Sequence, residues 1–227
     1  VRNSKRPFTS YNRFFLLPFL VWIVVGAILL IRFDRRVLFG AVNMNHTEAL
    51  DSVMYALTNL GDGIGIIFVL LLLVAIPKLR NWWYAVAAIA CNAIPAIIIQ
   101  ILKGVFDAPR PFEYYKGDDT WIHFSEAWGE HLHYHSFPSG HSAGAFSLFC
   151  FLSCLLPRRY QWVGIPLFLL ALTVGYTRMY LAAHFYADVY VGSVIGTVVT
   201  LACFSFVRRL LPKFYGVHEA EMSVADN

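Results

Sequence analysis

Three separated polar segments hold the residues able to do chemistry. The first is Lys103-Gly-Val-Phe-Asp-Ala-Pro-Arg110-Pro111, the second Ser136 to Ser142 (S-F-P-S-G-H-S), and the third Thr177-Arg178 followed by His184 and Asp188. Lys103, Arg110 and Arg178 are three cations able to balance a phosphate dianion and the charge on its equatorial oxygens. An Arg fork can bind two oxygens at once, whereas Lys acts as a point charge. Pro109 and Pro111 restrict the backbone around Arg110, which limits the entropy lost on clamping a ligand. Pro138 suits the first turn of a helix. Ser139 and Gly140 then offer backbone donors and a hydroxyl at a helix N-terminus, a place that favours an oxyanion. His141 adds a side chain that exchanges a proton near neutral pH.

His184 and Asp188 are four apart on a predicted helix and so share a face. A carboxylate accepting the Nδ1 proton leaves Nε2 unprotonated, the orientation a nucleophilic His needs. His141 could then protonate the departing oxygen as general acid. Each residue taken singly has a plainer explanation. A cation at the end of an apolar span commonly reaches to headgroups, and a single His near a helix end commonly packs. The complementary chemistry on one predicted face is what favours a site. His123, His131, His133 and His135 lie in the long loop with no acidic or cysteine partner at a recognised ligand spacing. They read as solvated side chains, and neither a metal nor another cofactor is expected.

The elements that must position these residues are apolar. The chain of 227 residues is 58% hydrophobic and 14% charged, against about 45–50% and 25% for a soluble domain. An all-α fold is expected: an integral membrane bundle of six transmembrane helices, one domain over 1–227. The spans are expected at about 14–31, 63–76, 82–102, 143–156, 162–176 and 186–207. Pro95 is expected to kink the third. Asn45-His-Thr-Glu48 reads as a capping box, and Leu50, Val53, Met54, Leu57 and Leu60 follow at helical spacing. They predict a short interfacial helix serving as a lid or membrane rest. A long loop, 103–142, carries part of the site. The four cysteines (Cys91, Cys150, Cys154, Cys203) fall inside apolar runs and read as small buried hydrophobes. The first span reads as an anchor, being too long for a cleaved signal.

Six spans put both termini on one side. Assigning that side to the cytoplasm places eleven Lys and Arg there: Arg2, Lys5, Arg6, Arg13, Lys78, Arg80, Arg158, Arg159, Arg208, Arg209 and Lys213. Seven lie opposite, of which Arg32, Arg35 and Arg36, in the charge cluster Arg32 to Arg36 that closes the first span, run against the positive-inside rule. The expected location is a bacterial inner membrane, with the site on the periplasmic face.

The pattern Lys103…Arg110-Pro111, Pro138-Ser139-Gly140-His141 and Arg178…His184…Asp188 resembles the type-2 phosphatidic acid phosphatase superfamily, which includes membrane lipid phosphatases and soluble vanadium haloperoxidases. The resemblance implies that His184 attacks phosphorus to form a phosphohistidine, with Asp188 orienting it and His141 protonating the leaving group. Lys103, Arg110, Ser139, Gly140 and Arg178 would hold the phosphate, and water would release it without a metal. Thr177 stands where the family usually has Ser, and keeps the hydroxyl. The function expected is hydrolysis of a terminal phosphate monoester or diphosphate on a lipid, of the undecaprenyl diphosphate, phosphatidylglycerol phosphate, phosphatidic acid or lipid A type. The partners expected are that substrate and the bilayer, with no nucleic acid; the oligomeric state is open. Two alternatives are a haloperoxidase-like vanadate enzyme and an anion or lipid-phosphate transporter. Six spans without a large soluble domain disfavour the first, and a His184–Asp188 pair is superfluous for the second.

Overall fold

The computed structural model describes residues 11–79, 82–125 and 133–225. Among these the regular elements are all helical. They are α1 (Arg13–Arg32), α2 (Arg35–Asn43), α3 (Glu48–Thr58), α4 (Gly63–Val74), α5 (Trp82–Phe106), the short α6 (Pro111–Tyr114), α7 (Gly140–Leu155), α8 (Gly164–Tyr180) and α9 (Tyr186–Ala225).

The centre of the bundle is α7. Its residues from Ala145 to Phe151 are all buried, packed between α5, α8 and α9. Between apolar helices in lipid the drive to associate comes from close packing, which small residues permit. Here the close approach falls at Gly192, where an added Cβ would stand 2.5 Å from the Ser139 carbonyl oxygen and 3.3 Å from the Ser142 Cβ. Phe15 and Phe168 meet edge to face beside Phe146 on one side of α7. Trp83, Cys91 and Phe204 pack against Phe151 and Cys154 on the other. Asn12 caps α1, its side chain accepting from Phe14 N at 2.9 Å, while its Nδ2 donates to the Ser153 carbonyl at 3.2 Å. One fully buried polar side chain thus ties the start of α1 to the end of α7.

All six predicted apolar segments are helical, but their lengths differ from the expectation. Four are long and apolar enough to cross a membrane, and a fifth if α3 and α4, which meet at 62°, count as one broken span. The 16 residues of α7 extend only about 24 Å at 1.5 Å per residue, short of the ~30 Å of hydrocarbon. Enclosure by its neighbours explains why it need not be longer.

Two local expectations are corrected. The charge cluster at Arg32 to Arg36 was expected only to close the first span, yet it opens α2, capped by Asp34, whose Oδ1 accepts from Val37 N at 2.8 Å. The cap of α3 is Thr47, accepting from Leu50 N at 3.3 Å, and not Asn45, which bonds back to the Ala41 carbonyl. The helix α5 runs unbroken through a buried Pro95. None of the four cysteines is in a disulfide; Cys91, Cys150 and Cys154 are buried as expected, and Cys203 is half-buried.

Candidate active site

Backbone hydrogen bonds bring the three polar segments together. Arg110 N donates to the His133 carbonyl at 2.8 Å, and Ser136 N to the Ala108 carbonyl at 2.9 Å, so the two ends of the long loop run side by side. Ser139 N donates to the Asp188 carbonyl at 3.0 Å, fixing the start of α7 against the first turn of α9. The amides of Ala183 and His184 both donate to the Arg178 carbonyl, closing a tight turn after α8.

His184 sits in that turn, fully enclosed, and not on the helix where the sequence placed it. The helix starts two residues later because Asp188 reaches back, its Oδ2 accepting from Phe185 N at 2.9 Å. The four-residue spacing still works, since the same oxygen lies 3.4 Å from His184 Nδ1. Ser136, which sequence reasoning missed, completes the support. Its hydroxyl donates to Asp188 Oδ2 at 2.5 Å and stands 3.5 Å from His184 Nδ1. The one available signal was its place at the head of the S-F-P-S-G-H-S motif. With Nδ1 turned to a carboxylate, Nε2 faces the other way, 3.4 Å from Arg110 Nη1. Burial first, then the charges of Arg110, Arg178 and Lys103, hold the imidazole well below its ordinary value. It is therefore neutral, with the proton on the nitrogen facing Asp188 and a lone pair on the nitrogen facing the cations.

The cations come from different elements. Arg110 caps α6 just before Pro111, and carbonyls hold its guanidinium: Nε donates to Tyr134 at 2.8 Å, Nη1 to Ala183 at 3.0 Å and Nη2 to His135 at 3.4 Å. Arg178, 1% exposed, donates from Nη1 to the Thr58 hydroxyl at 2.8 Å. Thr58, at the end of α3, is a second partner that sequence reasoning missed. Lys103, in the last turn of α5, brings Nζ to 3.8 Å from where a Gly140 Cβ would be. A side chain at 140 would crowd the space between that ammonium and the start of α7.

Ser139 caps α7, its Oγ accepting from Ser142 N at 3.3 Å and from the Ser142 hydroxyl at 2.9 Å. Pro138 precedes the cap, across a cis bond from Phe137, so the expectation that it opens the helix is corrected. The first-turn amides of Gly140 and His141 have no carbonyl four residues back within the helix, which leaves an anion-binding end. His141 Nε2 lies 3.9 Å from Asp62 Oδ1. The charges of Lys103, Arg110 and Arg178 act on both His141 and His184. All eight sequence-predicted site residues therefore meet at one end of the bundle: His184, His141, Asp188, Lys103, Arg110, Ser139, Gly140 and Arg178.

The loop histidines do not gather. His123 Nε2 is 3.0 Å from Asp51, His133 Nδ1 is 2.8 Å from Glu113, and His135 Nδ1 is 3.1 Å from Asp107. They are not simply solvated either: each faces its own carboxylate. His131 lies outside the described residues. Among the described residues no three His, Cys, Asp or Glu side chains form a ligand set for a metal ion.

The sequence profile of the PAP2 superfamily matches residues 80–212, more than half of the chain and all eight of these positions. The chain belongs to the PAP2 superfamily. Among curated relatives, the lipid A 4'-phosphatase of Bacteroides thetaiotaomicron is 45% identical over 60 residues, 26% of each chain. That match thus spans about a quarter of the relative's length. The undecaprenyl-diphosphatase BcrC of Bacillus subtilis is 26% identical over 171 residues, 74% of this chain and 80% of that one. Among solved structures, Aquifex aeolicus LpxE superposes with a TM-score of 0.63 at 26% identity, over 78% of this chain and 98% of its own. A transmembrane PAP2-type phosphatidylglycerolphosphate phosphatase from Bacillus subtilis superposes with a TM-score of 0.61 at 21% identity, over 88% and 98%, and shares the fold. This PAP2 chain is accordingly a phosphate hydrolase, an integral membrane protein of the lipid phosphatase kind. In it the Thr177 hydroxyl donates to the Val174 carbonyl of its own helix at 2.7 Å, so the Ser-to-Thr departure is spent on α8.

Proposed function

We propose that this PAP2 chain removes the terminal phosphate of a lipid monophosphate or diphosphate through a phosphohistidine. The observation that carries the proposal is the buried His184, with Nδ1 toward Asp188 and Nε2 beside Arg110. Lys103, Arg110, Arg178 and the Ser139-Gly140 end of α7 hold the phosphoryl oxygens, where charge spreads in the transition state. The lone pair of His184 Nε2 forms the N–P bond as the P–O bond to the lipid breaks, and His141 gives its proton to the departing oxygen. Water then attacks phosphorus, the N–P bond breaks, the proton returns to His141, and inorganic phosphate leaves. These steps assign no role to a metal ion.

The substrate classes are those that the relatives' names suggest: a lipid A phosphate, undecaprenyl diphosphate or phosphatidylglycerol phosphate, with phosphatidic acid as the simplest case. The single domain crosses a bacterial inner membrane six times, with α7 enclosed as the fourth crossing. Both termini are cytoplasmic and the site opens to the periplasm. The test is phosphate release from that panel of lipids by the detergent-solubilised protein with excess chelator, wild type beside His184→Ala. Release from one lipid, unaffected by chelator and absent in the variant, is expected. Equal release by the variant, or release abolished by chelator, would overturn the proposal.

A further inference from the structure

The bend between α3 and α4 reaches the site from a segment that the sequence assigned to a lid or membrane rest. Its 3₁₀ turn, Asn59–Gly61, is fitted to the first turns of α7. A Cβ on Gly61 would stand 2.5 Å from the His141 carbonyl oxygen, and one on Gly144 would stand 2.8 Å from the Gly61 carbonyl oxygen. Only glycines allow that approach. Thr58, just before the turn, takes the hydrogen bond from Arg178. Asp62, just after it, caps α4 through Oδ2, which accepts from Ile64 N at 3.1 Å.

Capping leaves Asp62 Oδ1 free to face His141 Nε2 at 3.9 Å. That is too far for a hydrogen bond, so only charge can couple the carboxylate to the imidazole. Burial first, and then Arg178 from α8, His184 from the turn before α9, Lys103 from α5 and Arg110 from the cap of α6, oppose protonation of His141. A general acid surrounded by cations needs a counter-charge to keep a proton near neutral pH.

We propose that Asp62 is a positioning residue for the general acid, drawing the His141 imidazole toward α4 and holding the proton on it against the three cations. This rests on the phosphohistidine proposal above. When the P–O bond to the lipid breaks, its electron pair stays on the lipid oxygen and the His141 proton follows it. When water displaces His184 from phosphorus, the water proton returns to His141, and Asp62 again stabilises the imidazolium.

Asp62→Asn isolates the charge, because Asn caps a helix as well as Asp does. The full chain in detergent is assayed on the fastest lipid monophosphate of the panel, whose alkoxide leaving group needs a proton, and on p-nitrophenyl phosphate, whose leaving group hardly does. At pH 7 the variant is expected to lose about tenfold in kcat/KM on the lipid and clearly less on the aryl phosphate. The basic limb of its lipid pH profile is expected to move down by about one unit. Equal fractional losses with an unmoved limb would show a merely structural role and overturn the inference. If Asp62→Asn proves unstable by its thermal midpoint, Asp62→Ser, which also caps, carries the same comparison. The His184→Ala arm keeps the two proposals apart. Activity surviving there removes the phosphohistidine reading, whereas a dead His184→Ala beside equal Asp62→Asn losses removes only the role of Asp62.

Discussion

A buried imidazole flanked by cations is held in one protonation state, and for His184 this has a consequence for stability. In the unfolded chain the ring takes up a proton near pH 6.5. In the folded chain, burial and the charges of Arg110, Arg178 and Lys103 hold it neutral well below that. Below pH 6.5 the unfolded state therefore binds a proton that the folded state refuses, and folding weakens as the pH falls through the window between the two values. The size is about 1.4 kcal/mol per pH unit within that window. His184→Gln removes the titrating group, so the wild type should lose more stability than this variant between pH 7 and pH 5. Thermal midpoints in detergent at a series of pH values measure that difference. A constant difference would mean that His184 protonates normally in the folded protein. The same surroundings suit the role proposed for the residue, because the cations that exclude a proton from Nε2 also draw in a phosphoryl group.

At the scale of elements, the site depends on how α7 meets α9. Ser139 N bonds the Asp188 carbonyl where Gly192, one turn along, lies against the Ser139 carbonyl. A methyl group at 192 would have to push backbone and not a flexible side chain. Gly192→Ala is therefore expected to lower the thermal midpoint and to cut phosphate release more than tenfold, by separating Ser139 and Gly140 from His184. Gly104→Ala, on α5 with nothing within 4 Å of the added carbon, should be neutral or stabilising by about 0.5–1 kcal/mol, the ordinary gain in a helix. If both variants behave alike, the close contact does not position the site. The motif residues were legible in the sequence because cations, histidines and a Pro-Ser-Gly run are chemically distinctive wherever they fall. Ser136, Thr58 and Asp62 were not, since a single Ser, Thr or Asp gives no periodic signal and its partner lies on another element. The helix α2 was hidden for a related reason: Arg35 and Arg36 read as the charged end of the span before them. The break at Gly61 was legible, since the expected short helix ends at Leu60 and the expected span begins at 63, but the fit of that turn against α7 was not, because it depends on what α7 offers across the gap.

For the whole molecule, charge bears on which way the bundle faces. Counted along the sequence, Arg32, Arg35 and Arg36 weigh against a cytoplasmic N-terminus. The fold gives two of them other work. The Arg35 guanidinium lies 4.7 Å from the ring centres of both Tyr114 and Phe185. Arg36 lies 4.5 Å from that of Trp121 and pairs with Asp118 at 2.8 Å. These two cations thus bind the loop beside the site, where aromatic faces attract them, and their position reflects packing more than topogenesis. The basic turn at Arg158-Arg159 lies at the opposite end of α7 from His141 and keeps its weight as a cytoplasmic marker. Orientation can be read with single cysteines, because Cys91, Cys150 and Cys154 are buried and Cys203 can be changed to Ser. In intact cells a membrane-impermeant maleimide should label Lys116→Cys, which is exposed on the loop after α6, and should leave exposed Arg159→Cys unlabelled until the cells are opened. The reverse pattern would put the site in the cytoplasm, where the phosphate released would enter the cell directly. Labelling of both positions from outside would mean that Lys116 and Arg159 share one side, and α7 would then be a re-entrant helix and not a crossing.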